Sequence, residues 1–423
     1  MRPNKTLLLE IGSVSPVNEE EFYADLEMPA EDHEITDALQ RARLYFKQPY
    51  ITQTITVTGC EILPEIMDRR LDSPSIDELS FFANRLASLS EKEALAIRAV
   101  FQKMDTEGLL EEPISMKDLI NMTYGLDKVT VVWGMFDDED LGRHVLDNEL
   151  HPELSKLGYE AQEMLDLASV GRWMRLMDGG TILQQAYVAT KHYEPQEVYD
   201  GQTLPRTELN KWYAFRLQVK GAERMEPQWI TLPCSREQSN AVAKSVGKMR
   251  IEDCKLTEFV SAFDKLEQKH LGSMDNFEML NTLALRIMQM NPGDKVRFKA
   301  ILEVDPQETL EGCLDVSQHL REYDFMPYVS APAAFYREYL LHHLGTGFDA
   351  RWLSDLACRT EGQALLERLG AKITDYGVVS ARGHSLFELV PYQQEQSQTM
   401  ATSTETGSQT MEDPASGIDT INF

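Results

Sequence analysis

An α+β fold of two tandem units, each combining small antiparallel sheets with helical subdomains, is what the amino-acid sequence predicts, and three observations carry it. Short runs that alternate apolar and polar residues, the mark of half-buried strands, are interleaved with runs of helical period. At 423 residues the chain is too long for one ordinary core. The order of strand-like and helix-like segments in the first half also recurs after about residue 212.

The segment Thr6 to Ile11 places Leu7, Leu9 and Ile11 on one side, and Phe22 to Met28 alternates apolar with acidic residues up to Pro29, so both read as strands. After Pro29, AEDHEITDALQRARLYF opens with acids, spaces Ile35, Leu39 and Ala42 along one helical face and closes with basic residues, as a helix dipole favours. TITVTGCEI returns to a period of two and completes a strand, strand, helix, strand motif. In SPSIDELSFFANRLASLSEKEALAIRAVF, Ile76, Leu79, Phe82, Ala83 and Leu86 share a helical face, and Ser90-Glu91 starts a second helix.

The second half repeats this plan. YAFRLQV and QWITLPC match the opening strands, with Leu232-Pro233-Cys234 placed like Met28-Pro29-Ala30. NFEMLNTLALRIMQM aligns without gaps to SIDELSFFANRLASL, TLEGCLDVSQHL parallels SMKDLINMTYGL, and PAAFYREYLL parallels DEDLGRHVLD with Arg337 opposite Arg143. The expected organisation is therefore an N-terminal α+β subdomain at 1–70, a helical one at 71–112 and a C-terminal α+β one at 113–190. A Pro- and Gly-bearing joint at 191–211 leads to the second unit, at 212–265 and 266–391. The polar tail 392–423 has almost nothing to bury and is expected to be disordered.

Charge is the unusual quantity. The formal net charge is −28, and about 20 of those negative charges fall in residues 1–200. A soluble domain needs a net charge of magnitude about 2 to 8, so the first half carries more than solvation requires. Such a field repels nucleic acid and anionic membranes and attracts basic surfaces. Binding to another protein, rather than catalysis, is the expected work. The candidate binding carboxylates are Glu19, Glu20, Glu21, Asp25, Glu27, Glu31, Asp32, Glu34 and Asp37, then Asp137, Asp138, Glu139, Asp140, Asp147, Glu149, Glu153, Glu160, Glu163 and Asp166. Duplex DNA presents one negative charge per roughly 1.7 Å of axis, and a surface dense in carboxylates approaches that spacing. The five cysteines form no CxxC pair, so free buried thiols in a reducing cytoplasm are expected, with neither zinc nor disulfides. The first residues lack a signal-peptide or membrane-spanning apolar run, which also points to the cytoplasm.

Enzyme signatures fail by inspection. GxxxxGK[ST], HExxH and GxSxG do not occur. Gly345-Thr346-Gly347-Phe348-Asp349-Ala350 fits GxGxxA but follows a helical pattern, so Gly345 reads as a helix C-cap rather than a dinucleotide turn. Adjacent His342 and His343 point about 100° apart on a helix and cannot share one metal ion. Asp137 to Asp140 lacks the order and glycine of a calcium loop and reads as the start of a helix. No cofactor and no metal are expected.

The run LSKLGYEAQEMLDLASVGRWMRLMDGGTILQQAYV resembles the late motif of the ArdA antirestriction proteins of conjugative plasmids and transposons. Asp166, Gly171, Arg172, Gly179, Gly180 and Tyr187 occupy the motif's places, with Leu167 where the family carries an aromatic. SIDELSFFANRL is similar to the family's central helix, and HSLFELV to the terminal strand of its short members. The resemblance covers roughly residues 6–190 and, more faintly, 212–390. It implies elongated, consecutive α+β subdomains without a cofactor. It also implies a DNA mimic that occupies the DNA-binding groove of type I restriction-modification enzymes, at their recognition and methylation core, and so protects an incoming mobile element. A homodimer is left open. Arg172 is either a partner contact or an ion pair ordering the acidic face, and the glycines read as serving turns or close packing. Two other readings stand beside this one: an acidic module that inhibits another basic DNA-binding or defence protein, and an enzyme with an unfamiliar site.

Overall fold

The alternation near the N-terminus forms a sheet in the computed structural model, which describes residues 5–15, 20–44, 52–205, 213–345, 347, 349 and 352–389. Strands β1 (Leu7–Val14), β2 (Glu21–Met28) and, after helix α1 (Asp32–Arg41), β3 (Thr52–Cys60) pair antiparallel in the order β2-β1-β3. Leu9 stands opposite Leu26 and Val57. Period-two patterning buries Leu7, Leu9, Ile11, Ala24, Leu26 and Met28 and leaves Glu21, Tyr23, Asp25 and Glu27 outside.

Helices α2 (Ile76–Ala87) and α3 (Glu91–Thr106) each begin with a capping box, Ser75 with Glu78 and Ser90 with Glu93. Each cap satisfies orphan amides for about 1 kcal/mol. The expected apolar face of α2 is buried at Leu79, Phe82, Ala83 and Leu86. Helix α4 (Met116–Met122) leads to a second small sheet. In it β4 (Thr130–Trp133) pairs with β6 (Ala186–Ala189), which also pairs with β5 (Thr181–Leu183). Between those strands lie α5 (Asp138–Asp147), the single turn α6 (Tyr159–Gln162) and α7 (Leu167–Asp178).

The second half reproduces the first. Strands β7 (Phe215–Lys220), β8 (Gln228–Leu232) and β9 (Lys255–Ser261), with α8 (Arg236–Ser245), form a sheet of order β8-β7-β9. There follow α9 (Gln268–Leu271), α10 (Phe277–Gln289), α11 (Pro292–Val304), α12 (Leu310–Gln318), β10 (Phe325–Met326), α13 (Pro332–Leu344), α14 (Asp355–Leu369), β11 (Lys372–Thr374) and β12 (Gly377–Val379). The last sheet has the order β10-β12-β11, again that of its counterpart. The likeness extends to single bonds. Arg85 of α2 donates to the carbonyl of Thr123 at 3.0 Å, and its counterpart Arg286 donates to the carbonyl of Ser317 at 2.7 Å. Each pair closes the C-terminal end of the following short helix onto the long one.

Each repeat has its own apolar core, one running from Leu7 to Tyr199 and the other from Ala214 to Val379, and no residue belongs to both. Tyr193 and Tyr199, in the stretch read from sequence as a joint, are buried in the first core. The side-chain amide of Asn121 donates to the Tyr199 carbonyl at 2.9 Å and fixes that stretch. Residues Met1–Glu388 make one compact unit. The tail 392–423, Glu19, residues 206–211 of the joint and residue 212 lie outside the described residues. HSLFELV differs from expectation: its described residues, 384–389, form turns rather than a strand. The carboxylate of Asp324 accepts from the Ser385 hydroxyl at 2.7 Å and the Leu386 amide at 3.0 Å, which curls the backbone away from a ladder.

Candidate functional site

The acidic residues of the first repeat fall into two groups that the structure treats differently. In the N-terminal group, Glu21, Asp25 and Glu27 are exposed on the outer face of the first sheet. That face also carries Glu10, Tyr23, Thr54, Thr56 and Thr58 and bears no Lys or Arg side chain among the described residues of its strands. Glu31 and Glu34 form the capping box of α1, and Glu34 also pairs with Lys5 at 3.3 Å. Asp32 is half-buried, and burial raises its pKa. Glu20 accepts from Ser330 at 2.6 Å, and Glu31 from the Tyr213 hydroxyl.

Asp37 corrects the expectation of a displayed carboxylate. Its side chain is only 13% exposed and accepts hydrogen bonds from Lys299 and, at 2.6 Å, from Tyr376. Burial works to raise its pKa, but the Lys299 charge and the hydrogen bonds of Lys299 and Tyr376 hold it below its ordinary value. A carboxylate committed in this way cannot also face a partner.

The second group surrounds α5 and α7. Asp137 caps α5 by accepting from the amides of Glu139 and Asp140 at 2.9 and 3.0 Å, the helix-starting role read from sequence. Asp140 turns back to the Phe136 amide at 3.2 Å. Glu139 pairs with Arg143 at 3.1 Å and Glu153 with Lys156 at 2.7 Å, both on the open surface. Asp147, Glu149, Glu160 and Glu163 are exposed and make no ion pair among the described residues. Asp166 is exposed at the start of α7, where the Ser169 hydroxyl at 2.6 Å lowers its pKa.

The motif residues knit these elements together. A Cβ on Gly171 would lie 1.9 Å from the carbonyl oxygen of Asp138, and one on Gly142 would lie 1.9 Å from that of Leu167. The two glycines let α5 and α7 cross with backbones in contact. Gly179 ends α7 in the left-handed region at φ 55. Tyr187 is buried in β6 beneath Gly180. Arg172 is 58% exposed and stands 3.9 Å from Asp138, whereas Arg175 makes the close pair with Asp138 at 2.7 Å. Sequence reading missed Arg175; one helical turn from Asp178 and facing the acidic start of α5, it carried no motif to mark it.

Exposed apolar side chains accompany the second acidic group, including Trp133, Phe136, Met164 and Leu176, the last 84% exposed. All five cysteines are free, and burial pushes the thiols of Cys60, Cys234 and Cys313 up to about 11. Among the described residues no group of three His, Cys, Asp or Glu side chains is arranged to hold a metal ion, and no helix is long and apolar enough to cross a membrane.

The outer face of the second repeat's first sheet carries Arg216, Lys220 and Lys255 against a single carboxylate, Glu258 opposite Gln218, and so differs in charge from its counterpart. By register, Arg216 takes the place of Leu8, Gln218 that of Glu10, and Trp229 that of Asp25, with Lys220 and Lys255 at the far end. Arg216 stacks over the Trp229 ring at 4.5 Å. One topology thus presents an anionic face in the first repeat and a mainly cationic one in the second. Comparison of the chain with protein-family models, with curated proteins and with solved structures finds no match.

Proposed function

We propose that the chain is an antirestriction protein, a non-enzymatic DNA mimic whose first repeat occupies the DNA-binding groove of a type I restriction-modification enzyme. The observation that carries this reading is the set of exposed carboxylates Asp147, Glu149, Glu160, Glu163 and Asp166, the last three within the stretch that resembles the ArdA late motif. The acidic sheet face with Glu21, Asp25 and Glu27 adds a second anionic area. Carboxylates at such positions stand in for phosphates, and a Lys- and Arg-lined groove exchanges its counterions for them as it does for DNA.

The second repeat lacks this excess and so contributes little to mimicry. Its role in this reading is to hold α1 in place through Lys299 and Tyr376, which both bond Asp37. The experiment is DNA cleavage by a purified type I restriction enzyme titrated with the protein at several salt concentrations. Inhibition that weakens steeply as salt rises supports competition for a basic groove. Absence of inhibition at low salt with protein in excess overturns the reading and favours an acidic module directed at another basic protein.

A further inference from the structure

The two repeats have separate apolar cores, and among the described residues the contacts that join them are mainly polar, beside a ring contact of His33 with Tyr213 at 5.4 Å. Asp37 of α1 is held by Lys299 of α11 and by Tyr376 in the β11–β12 turn. The Arg43 guanidinium donates to the Asp375 carbonyl at 2.6 Å. Glu31 accepts from Tyr213, and Glu20 from the hydroxyl and amide of Ser330 at 2.6 and 3.0 Å. A cavity of about 160 Å3 reaches the cluster, lined in part by Arg41, Asp264, Lys265 and Glu303.

Internal repetition shows what each joint residue is for. Helices α1 and α8 end alike, with the Leu44 amide on the Leu39 carbonyl and the Lys248 amide on the Ala243 carbonyl. At the left-handed position of that ending the second repeat has Gly247, φ 79, and the first has Arg43, φ 60. A side chain is disfavoured there, and Arg43 occupies it with its guanidinium shared between the Arg41 carbonyl and Phe22 ring of its own repeat and the Asp375 carbonyl of the other. Asp37 likewise corresponds to Ala241, Lys299 to Arg98, which is tied to Glu65 at 2.9 Å, and Asp375-Tyr376 to Gln184-Gln185. The joint chemistry is therefore built once, and the matching surfaces at the other side of each repeat lack it.

We infer that this joint is a polar latch, a conformational device that holds the two repeats in one arrangement and can release them as intact bodies. A buried ion pair gains little over its hydrated partners, and solvent entering the adjoining cavity can rehydrate each group as the joint opens. Opening a core, in contrast, exposes apolar surface with no such replacement. Release therefore lies below unfolding of either repeat on the free-energy scale.

The test is amide hydrogen exchange on the full chain, comparing the unaltered protein with Arg43→Gly and Lys299→Met. Arg43→Gly relieves the backbone but empties a buried site against Phe22, whereas Lys299→Met keeps most of the side-chain volume, so the two variants cut the latch with different side effects. In both variants protection at residues 31–44 and 372–380 should fall about tenfold or more, while α2, α3, α10 and α12 keep theirs, and the radius of gyration from X-ray scattering should rise. Unchanged protection at the joint, or an equal loss through both cores, overturns the inference.

Discussion

Gly180 and Tyr187 are matched to each other: a Cβ on Gly180 would lie 2.4 Å from the Tyr187 ring. In the second repeat, counted from the hairpin register, Ala371 and Val378 hold the same two places. The smaller side chain on one strand there leaves room for the methyl on the other. Gly180→Ala should destabilise the first repeat by about 1–3 kcal/mol through overpacking. Adding Tyr187→Val should recover part of that loss, so chemical denaturation of the single and double variants reads the coupling directly.

Gly171→Ala meets a harder obstacle, since the clash is with the Asp138 carbonyl and backbone cannot rotate away. A loss of about 3 kcal/mol or more is expected, visible as a lowered first transition in calorimetry. Gly362, whose Cβ would lie 1.9 Å from the Pro332 carbonyl, is its counterpart. Gly362→Ala should act in the same way on the second repeat.

Arg172 and Arg175 should separate binding from stability. Arg175→Ala removes the close partner of half-buried Asp138 and should cost about 1 kcal/mol, whereas Arg172→Ala, at an exposed site, should leave unfolding unchanged. If Arg172 touches the partner, inhibition of DNA cleavage falls in that variant without any change in stability.

Neutralising Asp147, Glu149, Glu160 and Glu163 together to their amides should weaken inhibition and flatten its salt dependence. Each single change should have little effect, because exposed charges share the interaction and are individually screened. A single amide substitution that abolishes inhibition would show a specific contact instead.

Acid should act on the latch with two signs. Burial raises the pKa of Glu303 against the opposing hydrogen bond from the Asp375 amide and the charge of Lys265, with the Asp375 and Asp37 charges adding to the rise; burial and Glu20 raise that of Glu338. The folded protein therefore binds protons above the ordinary Glu value of 4.5, where the unfolded chain does not, and stability gains from these groups as pH falls through that window. Asp37, held below its ordinary 3.8, contributes stability above that value that is lost as pH falls further. Glu303→Gln should remove the gain, and Asp37→Asn should flatten the acid limb, in denaturation curves measured from neutral pH downward.

Much of this architecture was legible in the sequence because its elements are locally determined. The strands around Leu9 and Leu26, the faces of α2 and α10, and the Ser90 cap all follow from period and cap chemistry. The equivalence of α7 and α14 was not recognised, although Gly171 and Gly179 share the eight-residue spacing of Gly362 and Gly370. Helix periodicity is weak along α14, and spacing of glycines has no meaning until the crossing partner is known. The fate of Asp37 was illegible for a related reason: its partners Lys299 and Tyr376 are remote in sequence, so burial could not be told from display.

The reversal of charge between the two equivalent sheet faces gives the molecule an electric polarity along its own chain. Under the proposed function, a basic partner arriving by diffusion would be attracted by the first repeat's anionic face and repelled by Arg216, Lys220 and Lys255. Encounter would then favour the first repeat before any contact forms, and neutralising Arg216, Lys220 and Lys255 would raise the net attraction while weakening that preference.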